Sequence, residues 1–93
     1  MKTYSVFIIV PEAEKKKVKL ADFDSPNVSE IIIMGRKDFK YDVRLMLRSQ
    51  LVVTAGEWHE DPNCNKAVSI ARIMEQEVIH ETNYQKYVEQ KYN

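Results

Sequence analysis

The sequence predicts an α/β protein, a small three-layer sandwich built on a mostly parallel four-stranded sheet. Three observations carry that reading. β-Branched, apolar runs recur at Tyr4 to Val10, Glu30 to Gly35, Gln50 to Gly56 and Glu77 to His80. Segments with apolar residues three or four apart separate the later runs, the spacing of amphipathic helices. The first run is apolar almost throughout rather than alternating, as a strand covered on both faces must be.

Each element has a local reason. "YSVFIIV" is stopped by Pro11. The segment that follows is open: Pro11 suits the first position of a helix, yet Val18, Leu20 and Phe23 equally fit an irregular edge strand. Pro26 and Asn27 supply turn chemistry, and "EIIIMG" is a second strand closed by Gly35. From Asp38, Phe39, Val43, Leu45 and Met46, with Tyr41 beside them, share one side of a helix, and Lys40, Arg44 and Arg48 the other.

"QLVVTAG" is the third strand. Asp61 then caps a helix that has Pro62 in its first turn and a slim apolar face of Ala67, Ile70, Ala71 and Met74. "EVIH" is a fourth strand, and a terminal helix from Asn83 places Tyr84, Tyr87 and Val88 at contact spacing. Alternation of strands and helices implies right-handed parallel crossovers. The expected architecture is β-(α or irregular)-β-α-β-α-β-α, Rossmann/flavodoxin-like, in one domain spanning residues 1–93.

Composition narrows the function. Fourteen basic and fourteen acidic residues give no net charge, so there is no basic nucleic-acid footprint. The charges are uneven, with Lys15, Lys16, Lys17 and Lys19 together and Glu57, Glu60 and Asp61 in an acidic loop. One cysteine, Cys64, excludes an internal disulfide and fits a reducing, cytoplasmic setting. "VFIIV" is too short for a membrane span or a signal-peptide core. No cofactor motif stands out.

In parallel α/β sheets ligands bind where strand C-termini meet helix N-termini. "LVVTAGEWHEDPNCNKAVSIA" runs through such a point. There, "DVRLMLRSQLVVTAGEW" followed by "DPNCNKAVSIARIMEQEVI" resembles the second half of the nucleoside 2-deoxyribosyltransferase-like superfamily, especially its short, often phage-associated relatives of unassigned function. The matching elements are Leu47 to Ser49 at a helix end, Leu51 to Thr54 in a strand, Gly56 and Trp58 in the loop, and Ala71 and Val78 downstream; the likeness covers about residues 42–79.

The resemblance implies a nucleoside-type ligand, but it also has departures. The superfamily's transferases carry an Asp at the helix entrance and a glutamate nucleophile six residues later. Those positions fall on Asp61 and Ala67, and a methyl group cannot form a glycosyl-enzyme ester. The family's Ala-Gly-Pro end to the first strand is "FIIVPE" in this chain.

The candidate ligand-binding residues are therefore Gly56, Trp58, Asp61 and Asn63. Trp58 could stack on a base or cover the core edge; Asp61 could hold a sugar hydroxyl or cap its helix. Cys64 lies where a helix dipole lowers a thiol pKa, with His59 near in sequence, or it is a half-buried small hydrophobe. His59, His80 and Glu81 offer metal-ligand atoms without a recognised spacing, so no metal is expected; His59 reads as solvent-facing and His80 as hydrogen-bonded at a strand end.

Three functions remain. The first is a nucleoside or nucleotide-binding module without glycosyl chemistry. The second is a protein-interaction domain of phage or mobile-element origin, using the Tyr-bearing helix or the acidic loop, with a homodimer also open. The third is an N-glycosidase or deoxyribosyl transferase in which Glu57, Glu60 or Asp61 replaces the missing carboxylate.

Overall fold

The computed structural model describes residues 3–35 and 38–92. Met1, Lys2 and Asn93, which the single-domain span 1–93 includes, lie outside the described residues, as do Arg36 and Lys37. Four strands, β1 (Tyr4–Ile9), β2 (Val28–Ile33), β3 (Leu51–Thr54) and β4 (Glu77–His80), form one sheet in the order β2-β1-β3-β4. Every pairing is parallel, so the α/β sandwich predicted from the sequence is present.

Strand β1 sits inside the sheet, with Phe7 opposite Ile32 of β2 on one side and Val52 of β3 on the other. Its side chains alternate between two cores. Tyr4, Val6, Ile8 and Val10 face one layer, while Phe7 and Ile9 face the second. All six are buried, which is why the run lacks polar alternation.

The second layer is made by helices α1 (Phe39–Leu47) and α2 (Pro62–Ile73), whose Met46, Cys64, Ala67, Val68 and Ala71 pack with Phe7, Ile9 and Val52. The first layer is covered by Phe23 and Val18 of the β1–β2 connection and by helix α3 (Tyr84–Tyr92). Connections that run in opposite directions across the sheet thus lie on opposite faces, as right-handed crossovers demand.

Three details differ from the sequence reading. The segment after Pro11 is neither an α-helix nor an edge strand but two short 3-10 helices, Glu12–Lys17 and Leu20–Phe23, the first capped by Pro11. In α1 the fully buried face is Met46 with the carboxylate Asp42, while Leu45 and Val43 are half-buried. Met74, expected on the apolar face of α2, is exposed, and Val68 and Cys64 are buried instead.

The last difference has a local cause, since Met74 is where α2 stops. Glu75 follows with φ of 58°, and its N–H donates to the Arg72 carbonyl while that of Gln76 donates to Ala71. This is the paired closure that usually places glycine in the left-handed position.

Helix α3 is held by a chain of hydroxyls rather than by apolar contact alone. The Tyr84 hydroxyl donates to the Phe23 carbonyl at 2.5 Å and so accepts from Tyr4 at 2.9 Å; Tyr4 then accepts from Ser25 at 2.9 Å. Tyr92 stacks on Tyr4 with ring centroids 4.1 Å apart, and the Asn27 side-chain amide donates to the Tyr92 carbonyl. The C-terminal tyrosines are spent on their own sheet.

Burial, first, and then the hydrogen bond from Tyr4 push the Tyr84 phenol well above its ordinary value of 10.0. Because the folded value is the higher one, the contribution of Tyr84 is fully present below about pH 10 and declines as pH rises beyond it. Tyr84→Phe is expected to cost about 1–3 kcal/mol at neutral pH, because it leaves the Phe23 carbonyl without its donor. The same change should flatten the alkaline loss of stability. Denaturant unfolding of both proteins at pH 8 and pH 11 checks it; an unchanged midpoint at pH 8 would contradict the network.

Candidate functional site

The interior position of β1 creates the site. The chain leaving β1 passes over one face of the sheet and the chain leaving β3, helix α2, over the other, so a crevice opens beyond the strand C-termini at this switch point. A cavity of about 370 Å³ lies there, lined by Val10 and Glu12 after β1, Met34 and Gly35 after β2, Asp38, Phe39 and Asp42 at the start of α1, and Asp61, Asn63 and Cys64 at the start of α2. A second hollow of about 200 Å³ opens on the other side of Val10, beside Glu14, Ala55, Gly56 and Glu81.

Both helices that point at the larger cavity start with a carboxylate cap. Asp38 accepts from the Tyr41 N–H at 2.8 Å. Asp61 accepts through one oxygen from the N–H groups of Asn63 and Cys64, at 2.8 and 3.0 Å. These contacts satisfy orphan N–H groups and suit the positive end of each helix. The Asp42 carboxylate, buried, accepts from the Gly35 N–H through both oxygens.

The 3-10 turn after β1 adds two more carboxylates, and they part company. Glu12 lies over the end of β2, with its Oε2 2.8 Å from where a Cβ on Gly35 would stand. Glu14 lies over the end of β3: its Oε2 accepts from the Glu57 N–H at 2.9 Å, and its carboxyl is 2.9 Å from a Cβ position on Gly56. Glu81, after β4, accepts from the Gly56 N–H at 2.7 Å. Gly35 and Gly56 both have positive φ, 98° and 63°, which a side chain would strain while also meeting these carboxylates.

The four binding residues expected from the sequence are divided by this arrangement. Asp61 and Asn63 line the larger cavity, and Gly56 lines the smaller hollow. Trp58 lines neither of them. It is half-buried against the helix-side core and meets His59 edge to face at 6.0 Å.

Of the candidate substitute carboxylates, Glu57 and Glu60 are exposed and Asp61 serves as the cap. Glu57, His59 and Glu60 bring ligand atoms within 4.8 Å of one another on the exposed loop, and Glu57 pairs with His59 at 3.4 Å. His80 bonds to Thr82 at the end of β4. Ala67 is buried in the core between α2 and the sheet.

Cys64 corrects the expectation from the helix dipole. It is completely buried, and burial, then the nearby Asp61 carboxylate and the thiol's hydrogen bond to it, and finally the charge of Glu14, push its pKa up to about 12. A thiol held protonated is a poor nucleophile. Cys64 is a small core residue that shows one edge to the cavity.

Sequence reasoning missed Glu12, Glu14, Asp38 and Asp42. The available signal was "PEAE" directly after the most apolar strand, because a turn at the end of an interior strand must overlie the ends of both neighbours. Asp38 carried a second signal, opening a helix after a strand just as Asp61 does. No family model, curated protein or solved structure matches this chain. Among the described residues, no helix is long and apolar enough to cross a membrane.

Asp61→Ala is expected to destabilise the fold by about 1 kcal/mol through the lost cap and to lower the Cys64 pKa, since Asp61 raises it. Wild-type Cys64 should alkylate at pH 8 only as fast as the protein opens, and the variant faster. Iodoacetamide kinetics followed by mass spectrometry test this. Rapid labelling of the native wild-type protein would contradict the buried, protonated thiol.

Proposed function

We propose that this chain is a small-molecule binding module whose ligand, a nucleoside or nucleotide, occupies the cavity at the ends of β1 and β2. The observation that carries this reading is the composition of that cavity. Val10, Met34 and Phe39 supply apolar wall, while Glu12, Asp38, Asp61 and Asn63 supply polar atoms within one space of about 370 Å³. Ligand pockets of roughly 300–1,000 Å³ combine an apolar lining with a few such groups. An apolar slot suits a flat base, and carboxylate or amide oxygens suit sugar hydroxyls.

Binding is favoured over glycosyl transfer by the same geometry. One Asp61 oxygen already accepts two backbone N–H groups. Glu57 and Glu60 stand on the exposed loop, and Ala67 points into the core. Binding through the Tyr-bearing helix is disfavoured in turn, because Tyr84 is buried and Tyr87 donates to Glu77 at 2.9 Å.

A thermal-shift panel of nucleosides and nucleotides tests the proposal, with Asn63→Ala in parallel. At least one compound should raise the melting temperature, as linkage requires of a ligand that prefers the folded state, by about 2.7 kcal/mol of stability at a hundredfold excess over Kd. Asn63→Ala should weaken that compound by roughly tenfold, the loss of one polar contact to a ligand. A flat panel would remove this reading.

A further inference from the structure

We propose that Glu14 and Glu81 are specificity residues that make the crevice reject anionic ligands, so that it takes an uncharged nucleoside in preference to its phosphate. This rests on the nucleoside-type reading above and names the ligand class within it. A phosphate group in a parallel α/β crevice is held by backbone N–H groups at strand ends and helix N-termini. In this protein those groups are taken by the chain's own carboxylates.

At the end of β3, Gly56 and Glu57 present successive N–H groups in a positive-φ turn, and Glu81 and Glu14 accept from them. At the end of β2, the Gly35 N–H donates to Asp42. At the start of α2, the N–H groups of Asn63 and Cys64 donate to Asp61. An entering phosphate would have to displace a carboxylate and then sit beside it, two like charges in close contact. A neutral nucleoside meets no such conflict, because its hydroxyls donate to the carboxylates of the larger cavity, such as Glu12 and Asp38, and it brings no negative charge to the strand ends.

Glu14 and Glu81 are the informative pair. They come from different connections, they converge on adjacent amides, and both of these hydrogen bonds are exposed, so the fold tolerates their removal. They also lie off the larger cavity, so changing them leaves the residues proposed to touch the nucleoside in place.

The experiment is a set of amide chemical-shift titrations of wild type and the Glu14→Ala/Glu81→Ala double variant. The probes are the common deoxyribonucleosides, their 5′-monophosphates and inorganic phosphate, at constant ionic strength. Wild type should bind a nucleoside at least tenfold more tightly than its monophosphate, and inorganic phosphate should leave the Gly56 and Glu57 amides unmoved. In the double variant phosphate should move those two amides and the tenfold preference should shrink.

A wild-type protein that binds the monophosphate as tightly as the nucleoside overturns the proposal, as does phosphate binding at Gly56 and Glu57 with both glutamates present. A double variant whose Gly56 and Glu57 amides still ignore phosphate overturns it equally. If wild type binds neither nucleosides nor monophosphates, the nucleoside-type reading fails, while phosphate acquired only by the double variant still upholds the exclusion of anions. Should the double variant unfold, Glu14→Gln/Glu81→Gln keeps the acceptor oxygens without the charge and must still reduce the preference for the nucleoside.

Discussion

Everything in this protein depends on β1 being hydrogen-bonded on both edges and covered on both faces. Once Phe7 is fixed between Ile32 and Val52, the chain leaves β1 and β3 in opposite directions across the sheet, toward β2 and β4. Their connections then separate onto opposite sides of the sheet. The crevice at the strand ends follows from that separation, and so does the role of the turn that β1 feeds into it.

That turn opens with two glutamates, and its position gives them different tasks. Glu12 covers the positive-φ glycine after β2, and Glu14 covers the one after β3. Each strand end therefore finishes in a glycine because a carboxylate occupies the space a side chain would need. Lys15 completes the arrangement by donating to the Gly35 carbonyl at 3.1 Å, which ties the turn to β2. The local conformation of "PEAEK" and the shape of the cavity are one structural fact.

The fold was legible because its signals are local and periodic. The uninterrupted apolar character of Tyr4 to Val10 announced a doubly covered strand, and the Asp61-Pro62 pair announced the start of α2, whose cap is present as expected. The segment from Glu12 to Phe23 was not legible. Its few apolar residues, Val18, Leu20 and Phe23, mix strand and helical spacing, and only Phe23 becomes buried there, through tertiary contact with Tyr84 at 5.0 Å.

The site was half legible for the same reason. Asp61 and Asn63 could be found from the capping motif, since a helix N-terminus after a parallel strand points at the crevice. Glu14 could not, because its partner amide is 43 residues away in sequence and the contact exists only once β1 and β3 are adjacent. Trp58, the conspicuous residue type of the loop, lies half-buried against the helix-side core and outside both hollows. The central claim is that one turn sends its carboxylates to two different strand ends. Backbone amide spectra of Glu12→Ala and Glu14→Ala test it most directly: Glu14→Ala should displace the Glu57 amide and leave Gly35 in place, and Glu12→Ala should do the reverse. A Glu57 amide unmoved by Glu14→Ala, or either change disturbing both strand ends alike, would contradict it.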